Sequence, residues 1–246
     1  MKAMTTSTRQ KEAAATALCT GCEVRNACFG RDVDAEGLLQ LDQAVERRFR
    51  LAAGENLYRI GDPFGSLYAI RSGYLKTSIR DDRGQEQVVG LHMKGDVVGV
   101  GGLESHFYIF DVSALAPSEL CEISFDKLEA LARGLPQLRR NMVKMFALYL
   151  NRDSGTHALR RKGSAETRLA GFLLDFSRRL EARGGDPASF SLPVSREDIG
   201  SHLGLSAAAV SRAFAQLNER GLAKVYRREI EITDSAGLQA LAASRS

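Results

Sequence analysis

The strongest constraint on the fold of this chain is a change of period partway along it. From about Phe49 to Phe125 apolar and polar residues alternate in short segments, among them Asn56-Leu-Tyr-Arg-Ile60, Ser66-Leu-Tyr-Ala-Ile70, Tyr74-Leu-Lys-Thr-Ser-Ile79 and Gln87-Val-Val-Gly-Leu91. Turn formers separate them: Gly54, Gly61-Asp62-Pro63, Arg71-Ser72-Gly73, Arg83-Gly84 and Gly95-Asp96. Alternation sends every second side chain into a core, and many short strands at even spacing predict an antiparallel barrel or jelly roll. From Gln137 to Lys162 the chain is free of proline and reads as one long helix. On it Phe146, Leu150, Asp153 and His157 recur at steps of four, three and four, which places them on one stripe. Such a stripe pairs with its twin from a second subunit as a parallel coiled coil; packing on the chain's own β domain is the alternative. Seven basic residues and the single acid Asp153 between Arg139 and Lys162 keep the outer face solvated.

The 246 residues therefore divide into an N-terminal arm (1–30), a β-roll sensor domain (31–134), a dimerisation helix (135–162) and an output domain (163–246). The class is α+β. A short amphipathic helix is expected around Asp34–Arg47, and another at Ala165–Ala182 before a polar break at Gly184-Gly185-Asp186-Pro187. No apolar run reaches the length of a membrane-spanning helix, and the first residues lack the apolar core of a signal peptide, so a cytoplasmic protein with no membrane partner is expected. The net charge of +4 permits a nucleic-acid partner without arguing for one.

The argument for DNA lies in the output domain. Ser195 is placed to cap a helix running to Leu203, with Asp198 three residues on in a capping-box pattern. Gly204-Leu205-Ser206 makes a tight turn, and Ser206 caps a second helix, Ala207 to Arg220. Val210, Phe214 and Leu217 fall on its inner face, while Ala208, Ser211, Arg212 and Ala215 fall on the outer one. Two short helices joined by a glycine turn form a helix-turn-helix, whose second helix enters the major groove. Ala223 to Ile232 then reads as a β-hairpin, the wing of a winged helix, with Arg227 and Arg228 at its tip for phosphate contacts. The domain holds eleven Lys/Arg and ten Asp/Glu, so affinity must come from local placement and from dimerisation.

Four cysteines remain. Cys19, Cys22 and Cys28 lie within ten residues, and Cys121 stands far off at the end of the β domain. Outside an oxidising compartment, four thiols are metal ligands more readily than disulfides. Tetrahedral zinc usually takes two Cys-x2-Cys pairs, and the second pair is missing here. A 4Fe–4S cluster needs one thiolate per iron and tolerates uneven spacing. Zinc, a thiol redox switch, two disulfides and four unrelated thiols stay open at this point.

The chain resembles the cyclic-AMP receptor protein/FNR superfamily, and within it the FNR group of anaerobic regulators, from Cys19 to about Ala240. Matching stretches include Ser66-Leu-Tyr-Ala-Ile-Arg-Ser-Gly73, Gly84-Gln-Glu-Gln87, Gly95-Asp-Val-Val-Gly99, Cys121-Glu-Ile, Pro136-Gln-Leu-Arg139 and Asp198-Ile-Gly with Leu203-Gly-Leu205. The resemblance implies a cyclic-nucleotide-binding-like jelly roll, a long dimerisation helix and a C-terminal winged helix-turn-helix. It implies a 4Fe–4S cluster on Cys19, Cys22, Cys28 and Cys121 that assembles without oxygen and holds a homodimer together. Palindromic DNA is the implied partner, read mainly by Arg212, with RNA polymerase touching the loop at Gly84–Gln87. Asp153 would face its twin across the dimer seam and repel it by up to ~1 kcal/mol in a watery setting. Three departures matter. Gly101-Gly-Leu-Glu-Ser-His-Phe-Tyr lacks the arginine that grips a cyclic-nucleotide phosphate, so no cyclic nucleotide is expected. Ala208 replaces the glutamate that precedes Ser211-Arg212 in FNR-type helices, which changes the half-site at one base pair. Glu23 and Ala27 lie between the cysteines and tune the site's reactivity in their own way.

Overall fold

The computed structural model describes the backbone of residues 18–82, 84–161 and 163–244, and the side chains of all these except 152–161. Two 3-10 turns, Cys19–Gly21 and Arg25–Ala27, precede helix α1 (Ala35–Gln43), which Asp34 caps by accepting from the Gly37 amide at 2.8 Å. The helix stops short of the expected Arg47. Val45 to Leu51 is instead strand β1, because its alternation buries Phe49 and Leu51 and its backbone pairs with β8 (Ser118–Ser124). Tertiary pairing overrides local helix preference there.

Between these two strands run β2 (Asn56–Tyr58), β3 (Ser66–Ser72), β4 (Tyr74–Arg80), β5 (Glu86–Met93), β6 (Val97–Val98) and β7 (Asp111–Ala114). They form two antiparallel four-stranded sheets, ordered β1-β8-β3-β6 and β2-β7-β4-β5. Tyr68 and Ile70 of β3 and Leu120 of β8 fill the space between the sheets, with Phe49, Leu75 and Val112. The intervening residues Leu67, Ala69, Cys121 and Ile123 point the other way, onto α1, α2 (Phe125–Gly134) and α3 (Pro136–Arg161). The first sheet is thus buried on both faces. Each fully buried Leu or Phe contributes roughly 1.5–3 kcal/mol.

Helix α3 anchors its first half on this outer face through Leu138 and Met142, with Phe146 partly buried beside them. The output domain follows: α4 (Ala165–Glu181), β9 (Ser189–Ser191), α5 (Arg196–Leu203), α6 (Ala207–Glu219), β10 (Ala223–Tyr226), β11 (Glu229–Ile232) and α7 (Ser235–Ala243). The hairpin gains a third strand in the order β10-β11-β9, beyond the two that the sequence indicates.

The two domains share a core. Val88, Leu91 and Met93 of β5 are buried with Phe172, Phe176 and Leu192, and Tyr74 stacks on Phe176 at 6.0 Å. Polar links reinforce the seam: Lys76 pairs with Asp198 at 2.7 Å, and the Val88 amide donates to Ser201 at 2.8 Å.

Candidate metal centre and DNA interface

Strand parity decides where Cys121 goes. Leu120 points between the sheets, so Cys121 must point outward, where α1 and the turns bearing the other cysteines lie. Across the sheet its neighbours are Arg48 on β1 and Ala69 on β3. Cys19 and Cys28 pack against the same apolar cluster. All four cysteines are free thiols, and the Cys28 thiol feels the charges of Cys121, Cys19 and Cys22. Among the described residues, however, no three His, Cys, Asp or Glu side chains converge at metal-coordinating distances. The fold brings the four thiols into one neighbourhood.

The neighbourhood is partly dry and partly cationic. Burial pushes the Cys28 thiol up to about 12, and burial together with Asp42 does the same at Cys19. At Cys121 burial also raises the pKa, against the lowering charges of Arg48 and Arg71. Asp42 accepts from the Cys19 amide at 3.1 Å and forms an ion pair with Arg48, whose Nη2 lies 3.9 Å from Cys19 Sγ. Arg48 Nε and Arg71 Nη1 are buried with no hydrogen-bond partner among the described residues. A buried unsatisfied donor costs about 1–3 kcal/mol, so such atoms call for an acceptor. Four thiolates carrying an iron–sulfur cluster are anionic acceptors of that kind, and the donor set fits one.

Further contacts tie the cysteine segment to α3 on one side and to the turn after β5 on the other. The Asn141 amide on α3 donates to the carbonyls of Phe29 at 2.8 Å and Arg31 at 2.6 Å. On the other side, Glu23 pairs with Lys94 at 2.9 Å, and Ala27 sits so close to Gly95 that a Cβ there would meet it at 2.6 Å. The next residue, Asp96, is fully buried and pairs with Arg179 at 2.7 Å and with Arg183, both from the output domain. Sequence reading did not single out Asn141 and took Asp96 only as part of a turn and of a family-matching stretch; the role of each appears once the contacts are known.

On the expected dimer stripe, Phe146 packs partly against its own domain while Leu150 is 65% exposed. The side chains of Asp153 and His157 lie outside the described residues. Val143, seven residues before Leu150, is 63% exposed and extends the stripe.

In the output domain Ser195 accepts from the Asp198 amide at 3.0 Å, and its hydroxyl donates to the Asp198 carboxylate at 3.0 Å. The capping box is thus closed side chain to side chain, while the other Asp198 oxygen takes Lys76. Gly204 ends α5 at φ 67, a left-handed conformation suited to glycine, and Ser206 accepts from the Ala209 amide at 3.1 Å. Val210, Phe214 and Leu217 are buried; Ser206, Ala208, Ser211 and Arg212 are exposed on the opposite side. Arg227 and Arg228 are exposed at the hairpin turn, where Arg227 has φ 55 and lies over the Tyr226 ring at 5.4 Å. Inside the β-roll, Tyr58, Thr77, His92 and Tyr108 line a cavity of about 20 Å³, room for about one water.

The Crp-like helix-turn-helix domain family matches residues 167–241, and the cyclic nucleotide-binding domain family matches residues 48–134. The Transcriptional activator protein anr of Pseudomonas aeruginosa is 38% identical over 224 residues, covering 91% of this chain and 92% of that protein. The Fumarate and nitrate reduction regulatory protein of Salmonella typhimurium is 36% identical over 224 residues, 91% of this chain and 90% of the relative. The solved structure of FixK2 from Bradyrhizobium japonicum superposes with a TM-score of 0.72 at 28% identity, covering 81% of this chain and 98% of that one. No helix among the described residues is long and apolar enough to cross a membrane. With a jelly roll, a long helix and an exposed recognition helix matched by these relatives, the chain belongs to the CRP/FNR family, whose members are transcription regulators and not enzymes.

Proposed function

We propose that this regulator responds to oxygen: Cys19, Cys22, Cys28 and Cys121 hold a 4Fe–4S cluster, and in that state the cytoplasmic chain forms a homodimer along α3 and binds a two-fold symmetric DNA site, controlling genes of anaerobic metabolism. The observation that carries the reading is the parity of β8, which turns Cys121 toward the side of the N-terminal thiols, beside two buried guanidinium nitrogens that have no partner among the described residues. The printed names of the fumarate and nitrate reduction relatives support it. When bound, such a cluster supplies a four-point covalent tie that oxygen dismantles.

The chain's own residues carry the consequence. Asn141 couples the segment after Cys28 to α3, just before the exposed Val143. Ala27 and Glu23 couple it to the turn at Lys94–Asp96 that grips the output domain. RNA polymerase is the proposed partner of the loop at Gly84–Gln87; Glu86 is already engaged by Lys76 and Ser78, which leaves the exposed Gly84 and Gln85 for that contact.

Purification without oxygen followed by assay of iron and acid-labile sulfide tests the reading. About four of each per chain are expected, and Cys121→Ala should lose them as fully as Cys22→Ala. Tight DNA binding by material free of iron and sulfide would overturn it in favour of zinc or a thiol switch.

A further inference from the structure

Arg48, Cys121 and Ala69 lie side by side across β1, β8 and β3, and Arg71 follows at the bulge between Ile70 and Ser72, where its charge still reaches Cys121. Cross-strand neighbours share a face, and diagonal ones stay within reach of a long side chain. Two guanidinium groups therefore flank the one cysteine that the β-roll contributes.

The Arg48 side chain is 7% exposed and Arg71 is half-buried. Asp42 takes only part of Arg48: its Nη2 serves Asp42 and approaches Cys19 Sγ, while Nε serves nothing among the described residues. Arg71 Nη1 is likewise buried without a partner. An arginine kept merely to hold Asp42 would have no reason to bury an Nε without a partner, and Arg71, though its charge reaches Glu23, makes no hydrogen bond or ion pair to a carboxylate among the described residues. A dianionic four-thiolate group seated between Cys19 and Cys121 would supply the missing acceptors and the countercharge at once.

We infer that Arg48 and Arg71 form a cationic wall that receives the four-thiolate group, donating N–H to its sulfurs and offsetting its negative charge. This rests on the metal-holding role of the four cysteines. Both arginines are positioning residues of the centre, acting on how tightly it is held and how readily it takes an electron. Removing a positive charge beside an anionic centre disfavours the more reduced, more negative state, so the reduction potential should fall.

The test uses full-length protein prepared without oxygen, wild type beside Arg48→Gln, Arg48→Lys and Arg71→Gln. Each is reconstituted with iron and sulfide, and each is separately titrated with cobalt(II), whose tetrathiolate absorption reports binding without any cluster chemistry. The glutamine variants should lose iron to a ferrous chelator about tenfold faster than wild type, bind cobalt about tenfold more weakly, and show a lower midpoint potential. Arg48→Lys keeps the charge and should recover most of the potential. Wild-type retention, cobalt affinity and potential in both glutamine variants would overturn the inference. A wild type that takes cobalt but no iron–sulfide would sink the cluster reading, while the cobalt affinities still decide the role of the arginines.

Discussion

Arg212 and Arg227 look alike in the sequence, yet the structure gives them different surroundings. Arg212 stands on the outer face of α6, whose register is locked by buried Val210, Ala213 and Phe214. A side chain so fixed can read one base edge, most simply the O6 and N7 of guanine. Arg227 sits on the exposed hairpin turn, where nothing fixes it against a base edge, and its proposed contact is phosphate. Arg212→Ala should therefore cost about 1–3 kcal/mol on the best site and relax the choice at one base pair. Arg227→Ala should weaken all sequences alike and lower the salt slope by about one. Binding to a randomised site series at several salt concentrations separates the two, and identical specificity loss in both variants would refute the assignment. Ala208 shares the exposed face with Arg212 and carries no acceptor, which is why the half-site need not follow that of glutamate-bearing relatives.

Helix α3 changes its surroundings along its length, and the proposed dimer would use its exposed part. Leu138 and Met142 bury themselves in the chain's own β-roll, whereas Val143 and Leu150 are exposed seven residues apart, the spacing of one coiled-coil heptad. Phe146 lies between the two roles. Val143→Glu should leave the β-roll folded and abolish the dimer in oxygen-free protein, each subunit losing about 1.5–3 kcal/mol of apolar burial. Sedimentation of the anaerobic protein checks this, and an undiminished dimer would return α3 to a purely intramolecular role. The helix-turn-helix was legible in full, since caps, turn glycine and inner triad are all local signals. Strand β1 was not, because a segment beginning Val-Glu-Arg-Arg is equally compatible with the end of a helix, and its pairing with β8 spans some seventy residues of chain.

At the scale of the molecule the decisive residue is Asp96. Its carboxylate is fully buried, accepts from the Met93 amide at 3.0 Å, and pairs with Arg179 and Arg183 across the domain seam. Removing one partner of a buried ion pair strands the others, typically at a cost of about 3–5 kcal/mol. Asp96→Ala should thus loosen the output domain from β5 while each domain keeps its own core. Hydrogen exchange should rise in α4 and β5 together, and unchanged protection there would show that the shared apolar core alone holds the seam. The same turn contacts Ala27, so under the proposed function a change at the cysteines has a contact route toward the output domain within one protomer, besides the proposed dimer helix.

Local chemistry in the sequence determined the winged helix-turn-helix, the alternating strands of the β-roll and the long helix, because period, caps and turn residues act over a few positions. It determined that four thiols exist and that three are close together. That Cys121 joins them depends on which face of β8 it occupies, a choice made by the burial of Leu120 between two sheets. The pairing of Asp96 with Arg179 and Arg183, and the guanidinium nitrogens left dry beside Cys121, arise from segments distant in sequence and adjacent only after packing. Tertiary structure decided those, since burial and charge neighbourhood are properties of the assembled interior and have no local signature.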